Sequence, residues 1–200
     1  MKLYDFLRSG NCYKVRLLLT QLGIPFERVE VNILQGESRT PEFMPKNLNG
    51  RVPVLEVEPD KFLAESNAIL FYLSEGTSFL PDNSWQRAKV LQWLFFEQYS
   101  HEPYIATSRY WISILGKAEE YREALAQKRQ PGYAALTVME THLQKHRFFV
   151  GDHYTIADIG LFAYTHVAEE GGFDLSRFPG ILSWLKRVTV QPRHIRITQK

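Results

Sequence analysis

The chain has 200 residues, with 24 basic and 22 acidic side chains that leave a formal charge of +2. Charges this balanced and dispersed form no basic stripe for nucleic acid and no acidic tail. Apolar residues at 44% and aromatics at 14% are enough for a packed core, and the absence of an apolar run near roughly 18 residues argues against a membrane span. The single cysteine, Cys12, excludes an intramolecular disulfide, a Cys-x-x-Cys redox pair and a zinc knuckle. Asp5 and Arg8 interrupt the N-terminal stretch that a secretory signal would need to be apolar, so a cytoplasmic protein is expected.

Lys2 to Phe6 alternates apolar and polar residues and predicts a short strand. Arg8-Ser9-Gly10-Asn11 is expected to be a loop. Cys12, Val15, Leu18, Leu19 and Leu22 then fall at helical spacing up to Gly23, a natural glycine just past a helix end. Phe26 to Ile33 predicts a second strand, Gln35 to Arg39 a polar loop, and Thr40-Pro41-Glu42 the capped start of a short helix.

The stretch Asn49 to Leu70 carries the chemistry. Val54, Leu55 and Val57 form a strand that ends at the turn cluster Glu58-Pro59-Asp60, and Lys61 to Ala64 returns. Glu65-Ser66-Asn67 opens an apolar helix, with Glu65 or Ser66 near the cap. A proline at a strand's first residue belongs to an edge or turn. If the Val52-Pro53 bond is cis, the Val52 amide and carbonyl face outward and can pair with an extended peptide; a trans proline would merely begin the strand. The free N–H groups at the Glu65-Ser66 helix start favour a carboxylate, and the Glu65 carboxylate favours an ammonium. Together they suit an α-amino-acid head group, although a plain helix cap reads from the same residues.

The first 76 residues therefore predict an α/β thioredoxin-like domain, a mixed four-stranded sheet in the order β-α-β-α-β-β-α. Residues 77–84 read as a linker. Residues 85–200 read as an all-helical domain. Trp85 to Leu115 is helical with an interruption at Pro103, and Lys117 to Gln130 is an amphipathic helix broken by Pro131-Gly132. Tyr133 to His146 continues helically. Thr155-Ile-Ala-Asp158 is a capping box for a helix from Ile156 to Glu170 that is apolar nearly all round, hence buried at the domain's centre. Ile181 to Val190 closes the domain. His142 and His146, four apart without a completing acid, read as a solvated face and not a metal site.

Five motifs, in this order and spacing, resemble the soluble glutathione transferases over the whole chain. They are Ser9 to Arg16, Asn49-Gly50-Arg51-Val52-Pro53, Glu65-Ser66-Asn67-Ala68-Ile69, Gly151 to Asp158, and Phe178-Pro179. The resemblance implies a cis bond before Pro53, a Val52 backbone that pairs with the cysteinyl unit of glutathione, and a Glu65-Ser66 pair that holds its γ-glutamyl end. Leu48 departs from the Asn-Pro-x-Gly often found before Val-Pro, which bears on loop rigidity more than on ligand contacts. The resemblance further implies a cytosolic homodimer with glutathione as co-substrate, no metal, and a small electrophile as second substrate.

A free thiol of pKa about 8.5 is only a few per cent thiolate at neutral pH. Lowering it by about 2 units needs roughly 2.7 kcal/mol of anion stabilisation, which a donor beside a helix N-terminus supplies. Ser9 matches the catalytic serine of the serine-type (theta- and zeta-like) classes and is the first choice. Asn11 is the second donor, with helix capping as its alternative, and Tyr4 matches the region of the tyrosine-type residue. Cys12 shares a helical face with Val15, Leu19 and Leu22, which points to packing over catalysis. Arg39 and Arg51 border the groove and are candidates for the glycyl carboxylate, or else solvated loop charges. Tyr99, Tyr104, Arg109, Tyr110 and Trp111 lie where the family walls its electrophile pocket. Glutathione-dependent disulfide or peroxide reduction, isomerisation of cis-enone acids, and a non-catalytic binding or regulatory role are the alternatives to conjugation.

Overall fold

The structure, a computed structural model, describes residues 1–199. Its contacts form two units, Met1–Glu75 together with residues 192–199, and Gly76–Gln191.

In the first unit, strand β1 (Lys2–Asp5) pairs in parallel with β2 (Glu27–Glu30) and antiparallel with β3 (Val54–Glu58), and β3 pairs antiparallel with β4 (Lys61–Ala64). The order across the sheet is β2-β1-β3-β4, the mixed four-stranded sheet the sequence leads one to expect. Helix α1 (Gly10–Leu22) forms the crossover between the parallel strands, and α2 (Ser66–Ser74) follows β4. Helix α1 begins two residues earlier than its periodicity implies. Ser9 is its cap, the Ser9 Oγ accepting from the Cys12 amide at 3.3 Å, so Gly10 and Asn11 are helical and not loop. Gly23 ends the helix at φ +70, where the Ile24 amide returns to the Leu19 carbonyl at 2.9 Å.

The helix expected at Thr40 does not form. Thr40 Oγ1 and the Thr40 carbonyl both accept from the Phe43 amide, but the chain continues as turns to Lys46. The cap is sound; the residues after it, through Asn47 to Gly50, prefer turns to further helix. Strand β2 stops at Glu30, short of the expected Ile33, which lies in a short 3₁₀ turn, and a second such turn occupies Glu37–Arg39 within the stretch Gln35 to Arg39 read as a loop.

The second unit is helical. A single helical run from Ser84 to Ile114 comprises α3 (Ser84–Phe96), a π turn over Glu97–His101, α4 (Glu102–Arg109) and a second π turn over Tyr110–Ile114. Pro103 is the second residue of α4; the wide turn immediately before it carries the helix across the bond that proline cannot donate. Helix α5 (Arg122–Leu143) passes through Pro131 unbroken, against expectation. Buried Gly132, Ala135, Leu136 and Met139 follow the proline. Their packing outweighs the local cost of about 3 kcal/mol. Of residues 77–84, read as a linker, Ser84 already begins α3, Leu80 is buried and the Phe79 carbonyl accepts from the Ile156 amide at 3.0 Å.

Helix α6 (Ile156–Thr165) is buried at all ten positions, as its all-round apolar pattern requires, and ends five residues sooner than expected. Its capping box is present. Asp158 also accepts from the Phe149 amide at 3.2 Å and from Trp184 Nε1 at 2.9 Å, tying α6 to helix α7 (Pro179–Thr189). The start of α7 lacks a cap of its own; buried Glu140 of α5 accepts there from the amides of Gly180 and Ile181 at 3.0 and 2.9 Å.

Burial pushes the Asp158 carboxyl up to about 6, against the bonds from Thr155, Trp184 and Phe149 that pull it down. A folded pKa above the ordinary 3.8 means that the folded chain binds the extra proton between those values. The resulting stabilisation is complete below the lower value and lost as pH rises through the upper one. Urea melts across this window are expected to show that fall in the native chain relative to Asp158→Asn. Identical slopes in both would exclude Asp158 as its source.

Candidate glutathione site

The register of the sheet brings three chain segments to one end. Tyr4 of β1 lies opposite Val54, and Val54 lies opposite Ala64. Thus β1 runs out toward Ser9, β3 is entered from Val52-Pro53, and β4 leaves into Glu65 at the same edge. The Val52-Pro53 bond is cis. Neither main-chain group of Val52 has a hydrogen-bond partner among the described residues, while its side chain packs on the cluster of Val31, Phe43 and Val54.

Glu65 precedes α2 at φ +68 and ψ 112, a region that costs a non-glycine residue on the order of 1–3 kcal/mol. It is exposed, makes no ion pair and does not cap the helix. Helix α2 therefore begins without a side-chain cap, beside the Glu65 carboxylate, and the simple capping alternative does not apply. Ser66 is buried, and its hydroxyl donates to Asn11 Oδ1 at 3.2 Å. That contact joins the start of α2 to the first turn of α1.

Ser9 is half-buried at the head of α1. Its Oγ accepts from Cys12, which leaves the O–H as a donor. Asn11 meets Ser66 instead of capping the helix. Tyr4 donates to Glu56 Oε2 at 3.0 Å, and burial together with this carboxylate pushes its phenol up to about 12, so its proton is already committed. Cys12 is fully enclosed, receives the Phe6 amide at 3.4 Å and is driven up by burial and then by the charge of Asp5. It is a packed thiol.

Arg39 and Arg51 are exposed and form no ion pair among the described residues. The Arg39 side chain crosses Gly50, where a Cβ would lie 2.8 Å from its Cδ. The loop that carries Leu48 in place of proline is braced by Asn47: its Nδ2 donates to the Arg51 carbonyl at 2.9 Å and its Oδ1 accepts from the Asn49 amide at 3.0 Å.

In the helical unit, Arg109 is buried and paired with Glu170 at 2.8 Å, an arrangement that holds α4 to the turn at Ala168–Gly171. Tyr104 and Trp111 both lie under Lys128, and Trp111 stacks on Tyr121 at 4.5 Å. Tyr110 begins the second π turn and Tyr99 is exposed. Of the two histidines read as a solvated face, His146 is exposed and His142 is half-buried. It bonds the Phe148 carbonyl at 3.1 Å, packs against Trp93 and Phe149, and is held low by burial. Among the described residues no group of three or more His, Cys, Asp and Glu side chains is placed to hold a metal ion. No helix there is long and apolar enough to cross a membrane.

One residue of the site escaped the sequence reading. Lys14, on α1, is completely buried, with Nζ 3.4 Å from Ser66 Oγ and 3.5 Å from Asn67 Oδ1. A lysine within a helical pattern gives no local signal that it points inward.

The mixed sheet with its crossover helix and an all-helical second unit define a thioredoxin-like domain joined to a helical bundle. The chain belongs to the glutathione S-transferase family: the N-terminal domain of that family matches residues 1–75 and the C-terminal domain residues 93–192. A glutathione S-transferase from Pseudomonas fluorescens is 53% identical, with a TM-score of 0.97, over 99% of this chain and 98% of that one. A glutathione transferase from Burkholderia graminis, solved with two glutathione molecules bound per subunit, is 27% identical with a TM-score of 0.82, over 96% of this chain and 84% of that one. Protein URE2 of Candida maltosa is 29% identical over 97% of this chain and 71% of its own length.

Proposed function

We propose that the chain binds glutathione at this sheet end and joins its thiolate sulfur to the electrophilic carbon of a small molecule, which gives up its leaving group as the new carbon–sulfur bond forms. The carrying observation is the uncapped start of α2, with the exposed Glu65 carboxylate and the Ser66 hydroxyl beside it. These groups match the carboxylate and ammonium of a γ-glutamyl unit. The Val52 main chain would pair with the cysteinyl unit as an added strand does, and Arg39 and Arg51 would meet the glycyl carboxylate. Ser9 would donate to the thiolate, aided by the N-terminal end of α1 and by Asn11.

Replacing Ser9 by alanine tests this directly. Turnover of an aryl halide with glutathione is expected to fall on the order of a hundredfold, while glutathione binding by calorimetry persists. The same variant loses a helix cap, so its stability drops by about 1 kcal/mol. Unchanged turnover would transfer the sulfur-donor role to Asn11.

A second reading, reduction of a small disulfide by two glutathione molecules, is favoured by the two bound in the Burkholderia graminis relative. Strong disulfide reduction without conjugation in parallel assays would select it. Absence of glutathione binding would select a non-catalytic role. A homodimer belongs to the same proposal; Phe95 and Tyr99, 70% and 84% exposed, supply apolar surface on the helical unit for a second copy.

A further inference from the structure

We propose that the C-terminal segment, residues 192–199, sets the position of Ser9 from behind α1, with Arg16 as the positioning residue between them. The inference rests on the reading of Ser9 as the donor to the glutathione sulfur.

The segment forms no helix or strand, and side chains of α1 hold its carbonyls. Gln21 Nε2 donates to Pro192 at 3.4 Å, the Tyr13 hydroxyl to Ile195 at 2.7 Å and Arg16 Nη2 to Ile197 at 2.7 Å. The Ile197 side chain is itself buried.

The same guanidinium nitrogen serves a second carbonyl. Arg16 Nη2 donates to Leu7 at 2.9 Å, two residues before Ser9. Each Nη of a guanidinium carries two N–H groups, so Leu7 and Ile197 use both. Arg16 Nη1 goes to buried Asp5, and Nε has no partner among the described residues. The turn from β1 into Ser9 is pinned around this point. The Phe6 amide donates to Cys12 Sγ at 3.4 Å, the Leu7 amide to Glu30 Oε1 at 3.5 Å and the Ser9 amide to the Phe6 carbonyl at 2.8 Å. The Leu7 carbonyl is thus where the C-terminal segment bears on the turn that ends at Ser9.

Without Ile197 in place, Arg16 keeps an enclosed N–H that has lost its acceptor, which is costly. The guanidinium turns to recover one, the Leu7 carbonyl follows, and the Ser9 hydroxyl leaves its line to the sulfur. The contacts expected to bind the rest of glutathione, at Val52 and Glu65-Ser66, belong to other segments. Detaching the C-terminal segment therefore acts on the sulfur and spares affinity. A segment that merely completes the fold would lower both together.

Ile197→Lys in the full chain makes the test, because it places a cation in an enclosed apolar position beside a guanidinium. Hydrogen exchange over residues 192–199 reads detachment, calorimetry the glutathione affinity, and the pH profile of thiolate absorbance the pKa of the bound thiol. The bound thiol is expected to rise by about one unit, a tenfold smaller thiolate ratio, and aryl-halide turnover to fall about tenfold at unchanged affinity. Tyr13→Phe, which removes one hold on the segment, shifts the thiol the same way by less. In a Ser9→Ala background, Ile197→Lys adds nothing further. A detached segment with native thiol pKa and turnover overturns the proposal, as does a loss of affinity in step with turnover or an equal effect without Ser9. Should Ile197→Lys not fold, or its segment stay docked, Tyr13→Phe decides: a raised thiol pKa supports the proposal and an unmoved one overturns it. Unchanged turnover in Ser9→Ala alone overturns the reading of Ser9 itself, a result distinct from an unaffected Ile197→Lys.

Discussion

Glu65→Ala is expected to weaken glutathione binding on the order of a hundredfold or more, the value of one lost charge-assisted contact at a desolvated head group, while the chain melts where the unaltered protein does. The second half follows from geometry. Glu65 makes no ion pair, caps no helix and is exposed, so truncating it removes nothing that holds the fold. Alanine at φ +68 also retains the backbone strain. Glu65→Gly separates the two effects: it relieves that strain, should raise stability by about 1 kcal/mol, and should bind glutathione no better than the alanine variant. Calorimetry and thermal melts on the three proteins suffice. Undiminished affinity in Glu65→Ala would remove the γ-glutamyl assignment, and a clear fall in its melting point would make Glu65 part of the scaffold.

Arg16→Met is expected to be the most destabilising single change in the first unit, costing about 3–5 kcal/mol. Arg16 is enclosed and reaches Asp5 Oδ1 at 2.5 Å, the Leu7 carbonyl at 2.9 Å and the Ile197 carbonyl at 2.7 Å. Asp5 is also buried, and its other oxygen meets Arg28 at 3.0 Å. Removing Arg16 leaves a buried carboxylate with half its partners and frees two carbonyls. It also takes away an anchor of residues 192–199, which the Tyr13 hydroxyl otherwise holds by donating to the Ile195 carbonyl at 2.7 Å. Urea melts should show the loss, and hydrogen exchange should show faster opening near residue 197. A loss under about 1 kcal/mol, the scale of an exposed pair, would mean that Arg28 alone satisfies Asp5.

The family resemblance was readable because its signals are local. Glu58-Pro59-Asp60 between two β-rich runs is a hairpin in any context. The Thr155–Asp158 box and the all-round apolar run after it specify a buried helix without reference to the rest of the chain. Val52-Pro53 and Glu65-Ser66 are adjacent pairs at a strand entry and a helix start, so their environment is determined within a few residues. Local rules failed where packing competes with them. Pro131 stays within α5 because buried side chains on both sides of it hold the helix, and Thr40 caps turns and not a helix because the residues beyond it favour turns.

The sequence by itself determined the four strands, the hairpin, the capped central helix and the start of α2 at Ser66, because each depends on side-chain periodicity or capping over a short span. Only the tertiary structure decided that Lys14 lies beneath Ser66, that His142 is packed between rings, that Glu140 caps α7, and that the C-terminal segment returns to Arg16. These contacts join residues 52, 49, 40 and 181 positions apart. A polar side chain on a helix is written the same way whether it faces water or a distant partner, and only the folded packing distinguishes them.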